Sequence, residues 1–200
     1  MFSSLIDIFV KIIETGGYAG VTFLMALESM VAPVPSEGVM PFAGFLWFEG
    51  KMSFGAIVFF STLGSVIGSL ISYYIGFYGG EPFVNKYGKY VLLNPKHLEQ
   101  TNKFFEKFGG KTVFVGRFIP VVRHLISIPA GVAKMNVFRF TIDTALGAAL
   151  WNAFSAYLGY ILGENWLQIR KYTEYLDIVL VLAILATVAY WIHKRHNHPA

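Results

Sequence analysis

The hydrophobic pattern of this chain is written in long blocks. From Met52 to Gly80 there is no charged residue, and about 20 apolar residues suffice to cross the hydrocarbon core of a bilayer. This predicts a transmembrane helix over 52–80. Thr144 to Gly163 is the uncharged body of a second, over 140–163, and Ile178 to Ile192 that of a third, over 176–193. Two further apolar blocks are broken. In the first, over 16–50, the run from Gly17 ends at Val31, because Pro33 and Pro35 lack an N–H and force extended backbone before them. Ser36 can cap a new helix from Glu37 to Phe48. The second, over 110–135, holds Arg117, Arg123 and His124 among apolar residues, with Pro120 and Pro129 as breaks. Two half-helices around a break make a re-entrant hairpin, and non-helical backbone persists at membrane depth only where protein or a wet cavity satisfies it.

The remaining blocks are polar. In residues 1–15, Asp7, Lys11 and Glu14 fall on one face of an interfacial amphipathic helix. Residues 81–109 predict a cytoplasmic amphipathic segment, with Asn94-Pro95 as helix start and Gly109-Gly110 as stop. Residues 194–200 form a basic tail. The sequences Lys86 to Lys111 and His193-Lys194-Arg195-His196 are basic and the loop from Glu164 to Asp177 is acidic, so the positive-inside rule places the C-terminus in the cytoplasm and lets the three crossings alternate. The hairpins then enter from opposite faces, each followed by a crossing. The predicted fold is an all-α integral membrane protein, one domain over 1–200, built as an inverted repeat of two opposed re-entrant hairpins, with a C-terminal crossing and amphipathic surface helices.

Composition agrees with a membrane protein: 55% of residues are hydrophobic, 14% are charged and mean hydropathy is +0.55. Without cysteine there is neither disulfide nor thiolate chemistry. The net charge of +4, clustered as it is, suits anionic lipid headgroups rather than nucleic acid. No cofactor or metal site is expected, and homo-oligomer formation is left open. An enzyme is disfavoured, since His124 lacks the partner histidine and acid of a lipid phosphatase and no serine pairs with a histidine.

Glu28 and Glu37 flank the first break; Arg117 and Arg123 flank the second. A charge at the bilayer centre costs roughly 2.5 to 3.5 kcal/mol, so four unpaired charges would cost on the order of 10 kcal/mol, comparable to the stability of a whole domain. They must meet one another, water or a ligand. Arginine presents a planar fork that fits phosphate oxygens, and a desolvated carboxylate can exchange protons. The pattern therefore suggests a phosphate-binding, proton-coupled site: Arg117, Arg123, Glu37 and Glu28 bind substrate, and Glu28 and Glu37 carry protons. The helix start after Ser36 adds a positive dipole end. His124 is a candidate proton relay. Trp151, Asn152 and Tyr157 read as packing, with Asn152 also able to join the site. Gly64, Gly68 and the serines at 61, 65, 69 and 72 read as packing only.

Two motifs, Glu28-(x)4-Pro33-Val-Pro-Ser-Glu37 and Gly116-Arg117-Phe-Ile-Pro120-(x)2-Arg123-(x)5-Pro129-Ala-Gly131, resemble those of the DedA family, also called the SNARE-associated or VTT-domain family. The resemblance spans nearly the whole chain. Many members have Gly before the second acid, where this chain has Ser36. The resemblance implies a multi-pass protein of the bacterial inner membrane with two opposed hairpins. It implies flippase- or scramblase-like transport, driven by the proton gradient, of a phosphate-headed lipid, foremost undecaprenyl phosphate, with the family's acids and arginines at Glu28, Glu37, Arg117 and Arg123. The alternatives are transport of phosphatidylethanolamine or another phospholipid, proton-coupled transport of a small solute or cation, and a non-transporting role in membrane-protein assembly.

Overall fold

The structure, a computed structural model, describes residues 2–30, 36–87, 105 and 109–163. Among them every regular element is helical: α1 (Phe2–Ser29), α2 (Ser36–Phe48), α3 (Phe54–Tyr87), α4 (109–116), α5 (Pro120–Leu125), α6 (Ser127–Val132) and α7 (Val137–Leu162). Three stretches are long and apolar enough to cross a membrane: Ile8–Ser29, Phe54–Gly79 and Val137–Leu162. The chain is a multi-pass membrane protein. The expected crossing at 176–193, the tail at 194–200, Pro33 and Pro35 lie outside the described residues, as does nearly all of the segment from 88 to 108.

The three stretches are not alike. Helix α1 is broken at Gly17, whose φ of 54° and ψ of −132° no helix contains and which a residue with a Cβ rarely adopts. The chain doubles back there, so that the Ile12 carbonyl lies against Gly20. Beyond the break, residues 18–29 are about 18 Å long at 1.5 Å per residue, well short of a ~30 Å core. Helix α2, at 13 residues, is similarly short.

Helix α3 runs to Tyr87, 34 residues in all, and the part of it that is apolar enough to cross a membrane is Phe54–Gly79. Pro82 cancels one bond, to the Tyr78 carbonyl, while bonds on either side can continue the ladder. Gly109 and Gly110 stand at the start of the described stretch 109–116, Gly109 taking a φ of 41°, and nearly all of the segment they were expected to stop lies outside the described residues. Pro120 begins α5 at the first-turn position where its missing N–H costs nothing, and Ile119 before it is extended (φ −102°, ψ 114°). Pro129 denies the Leu125 carbonyl its partner, and α5 ends at Leu125 while α6 starts at Ser127. The non-helical turn of this region is 117–119.

Helices α3 and α7 bury the same pattern. Between residues 54 and 79 the buried positions of α3 are Ile57, Ser61, Gly64, Ser65, Gly68, Ser69, Ser72, Tyr73 and Gly76. Those of α7 are Phe140, Thr144, Gly147, Ala148, Asn152, Ser155, Ala156 and Gly159. An offset of 83 residues, Ser61 to Thr144, maps every member of the first set onto the second except Gly68, whose counterpart is the half-buried Trp151. The contacts repeat too. Gly64 lies against the Thr22 carbonyl and Met25 of α1, and Gly147 against the Phe114 carbonyl and Arg117. Gly76 and Tyr73 of α3 meet Ile128 and Gly131 of α6; Gly159 and Ala156 of α7 meet Pro41 and Gly44 of α2. Each close pair uses a glycine at i, i+3 on both sides, so backbone rests on backbone, the contact that holds helices together where lipid removes the hydrophobic drive.

Aromatic residues gather near both ends of α3. Tyr18 stacks on Phe60 and its hydroxyl accepts from the Ser53 N–H at 2.9 Å, while Trp47 lies between Phe54 and Tyr160. Tyr73, Phe77 and Phe140 cluster near the other end, with the Tyr73 hydroxyl bonded to the Met135 carbonyl.

Candidate functional site

The breaks bring charge inward. Glu28 stands at the penultimate position of α1 and Arg117 just past the end of α4, where its N–H still reaches the Val113 and Phe114 carbonyls. Arg123 and His124 lie in the last turn of α5. Glu28, Arg117 and Arg123 are 3%, 4% and 4% exposed. All four residues line one polar chamber of about 20 Å³ with Met25, Ser29, Ser65, Ala148, Trp151 and Asn152. That space holds a water or two and no more.

The two arginines are held differently. Arg123 Nη2 lies 3.2 Å from Glu28 Oε1, and the guanidinium sits 5.2 Å from the centre of the Trp151 ring. Its Nε–H points at His124 Nε2, 3.4 Å away. Accepting there puts the proton of a neutral imidazole on Nδ1, 3.2 Å from the Glu28 carbonyl oxygen that can accept it. Arg117, by contrast, is hydrogen-bonded by hydroxyls. Its Nη2 donates to Ser69 Oγ at 2.7 Å, with Ser127 Oγ at 3.3 Å and Thr144 Oγ1 at 3.4 Å. Its Nε has no hydrogen-bond partner, and no carboxylate lies within 4 Å among the described residues. A buried guanidinium faced by neutral dipoles keeps most of its desolvation cost. A chamber carrying such a cation favours an anion.

Of the residues expected at the site, Glu28, Arg117, Arg123 and His124 are brought together. Glu37 lies in the first turn of α2, and its side chain is outside the described residues. Asn152 lines the chamber and donates to Ser61 Oγ at 3.1 Å. Tyr157 is half exposed and away from it. Sequence reasoning missed the hydroxyl ring of Ser69, Ser127 and Thr144 and took Ser65 and Ser69 for packing. Their signal was the spacing: hydroxyls at 61, 65, 69 and 72 trace one helical face. Trp151, also read as packing, is stacked with the guanidinium. On the opposite side of the α3–α7 contact is an apolar groove of about 490 Å³ lined by Val58, Phe59, Thr62, Val66, Ala145 and Ala149 among others.

Comparison with known proteins adds the following. A family model described as the VTT domain matches residues 34–161. The chain is 37% identical over 182 residues to undecaprenyl phosphate transporter A of Bacillus subtilis, covering 90% of each. It is 35% identical to undecaprenyl phosphate transporter A of Staphylococcus aureus, over 94% of this chain and 97% of that one. It is 32% identical to the protein DedA of Escherichia coli, over 70% of this chain and 64% of that one. No solved structure matches.

Proposed function

We propose, because this chain belongs to the VTT-domain family that includes DedA, that it is a membrane transporter moving a phosphate-headed lipid, undecaprenyl phosphate, between the leaflets of a bacterial inner membrane. The observation that carries this reading is Arg117, a buried guanidinium with hydroxyl ligands and no carboxylate within reach among the described residues. A phosphate monoester supplies the missing anion and can bind the fork through two oxygens. The names borne by the relatives in Bacillus and Staphylococcus support the choice of lipid.

In this mechanism the head enters between Arg117 and Arg123 while the isoprenoid tail stays in the bilayer. At about 20 Å³ the chamber is closed to a phosphate group, so the hairpins must part for the head to enter. Glu28 now holds Arg123, and the incoming phosphate takes its place; Glu28, and Glu37 with it, then carry the proton that couples transport to the gradient. The shortness of residues 18–29 and of α2 supports reading 16–50 as a re-entrant hairpin, and the turn at 117–119 supports the same for 110–135. The matching burial of α3 and α7 supports a repeat, which we read as inverted, with the C-terminus in the cytoplasm on the positive-inside rule.

The test is flipping of labelled undecaprenyl phosphate in proteoliposomes, with and without a proton gradient, by wild type, Arg117→Gln and Arg123→Ala. Transport lost in both variants and faster with the gradient is the expected result. Wild-type rates in either variant sink the arginine assignment, and no flipping by folded wild type sinks the lipid.

A further inference from the structure

The one place where the burial pattern of α3 fails to recur in α7 is Gly68 against Trp151, and that position faces Arg123. In the first half, Gly68 lets α1 run past, its Ala26 carbonyl and Ser29 seated on the glycine. In the second half α4 ends at residue 116 and the turn at 117–119 follows, and an indole stands where the glycine did. Phe118 meets the indole edge-on at 6.5 Å between centroids and Phe154 flanks it at 6.0 Å. The ring is therefore held with its face towards the guanidinium, 5.2 Å away.

We infer that Trp151 is a positioning residue for Arg123: through its π face it holds the guanidinium at the chamber, ready for the phosphate, while Glu28 leaves. The argument rests on the lipid-transport reading above. While Glu28 is bound, the ion pair fixes one end of the guanidinium. Once that carboxylate departs, the aromatic face goes on holding the cation without competing for the N–H donors that phosphate must use. A second carboxylate there would compete with the substrate. An aliphatic side chain would offer no such face.

The test replaces Trp151 by Phe, Tyr and Leu in the full chain, and by singly and multiply fluorinated tryptophans, which keep the shape of the ring and drain its π face. Two quantities are read: the concentration of undecaprenyl phosphate at half-maximal flipping in proteoliposomes, and the ring-current displacement of the Arg123 Nε–H resonance in detergent. Expected are a half-saturating concentration raised on the order of tenfold in Trp151→Leu, little change in Phe or Tyr, a graded rise with fluorination, and a maximal rate within about twofold throughout. Equal behaviour of Leu and Phe, or no response to fluorination, overturns the inference. Should Trp151→Leu fail to fold, the fluorinated series decides alone. If wild type flips no undecaprenyl phosphate, the transport reading falls. The inference then stands or falls on whether fluorination weakens the binding of a soluble phosphate monoester, read from that same resonance.

Discussion

The two halves of this molecule share a scaffold and differ in chemistry. Helices α3 and α7 bury matching positions 83 residues apart, and glycine pairs seat α6 on α3 as they seat α2 on α7. Yet where Gly147 receives the stem of Arg117, Gly64 receives Met25; the first half brings Glu28 to the chamber and the second brings Arg117, Arg123 and His124. Packing constrains the positions that touch backbone, and a change there costs stability. Charge is constrained only at the breaks, so acid can accumulate at one and arginine at the other. The chamber needs both halves because neither alone supplies ions of both signs.

The sharpest way to break this comparison is to make the halves alike. Arg117→Met gives the second half the residue of the first. The variant should fold with unchanged or raised melting temperature, since Arg117 is desolvated and no carboxylate lies within 4 Å of it among the described residues. Its transport of undecaprenyl phosphate should fall about a hundredfold, the loss expected when a buried charged contact worth roughly 2 to 5 kcal/mol disappears. A drop in melting temperature with transport retained would make Arg117 a structural residue. Next in size are the glycine contacts. Gly44→Leu and Gly131→Leu each drive a side chain into a facing backbone, of Ala156 and Tyr73. Both should cost about 2 to 3 kcal/mol, read as loss of folded protein in thermal or chemical unfolding. Gly55→Ala, with open space beside it, should be neutral or slightly stabilising. Unequal costs at 44 and 131 would break the equivalence of the halves.

How much of this was visible in the sequence follows from the same division. The uncharged runs and the prolines announced the long helices and the breaks, because lipid and the missing N–H act through residue type alone. Glu28, Arg117 and Arg123 stood out since a charge in an apolar run is expensive wherever it sits. Gly79-Gly80-Glu81-Pro82 ends the uncharged run but not the helix, which continues to Tyr87. The break at Gly17 lies at the Gly16-Gly17 pair, beside the boundary read between residues 15 and 16, whereas the doubling back that follows needs the backbone angles themselves. Ser69 had its spacing as a signal, but Ser127, Thr144 and Trp151 were illegible as site residues, for what makes them so is a partner 10 or 27 positions away or on another helix. The 83-residue offset was hard to see because, apart from Gly64 and Gly147, Ser72 and Ser155, and Gly76 and Gly159, it preserves which positions are buried rather than which residues fill them: Ser69 answers to Asn152, Tyr73 to Ala156.

A finer cut separates the ion pair from its surroundings. In a double-mutant cycle of Glu28→Gln and Arg123→Gln, either single change should destabilise, because it leaves a buried charge facing an amide, and the double variant should recover part of the loss. The coupling should lie at about 0.5 to 3 kcal/mol. Zero coupling would mean that the 3.2 Å contact does not tie the halves together.

The smallest effect tests the one hydrogen bond that joins α3 and α7 directly among the described residues, Asn152 Nδ2 to Ser61 Oγ at 3.1 Å. Its partners are not counterparts: Ser61 answers to Thr144, and Asn152 to Ser69. In a scaffold with two matching halves each bond should have an image, and the image of this one is a contact of Ser69 with Thr144. Both of those hydroxyls instead attend Arg117 Nη2. The guanidinium thus sits where the repeat would put a direct bond, and the bond on the other side survives because Met25 cannot intrude in the same way. Replacing Asn152 and Ser61 by Ala, singly and together, should show coupling of about 0.6 kcal/mol, the average for hydrogen bonds between membrane helices. The same cycle at Ser69 and Thr144 should show almost none in wild type and a similar value in Arg117→Met, where the two hydroxyls are free to meet. Unchanged coupling in that background would mean that the guanidinium does not stand in for the bond.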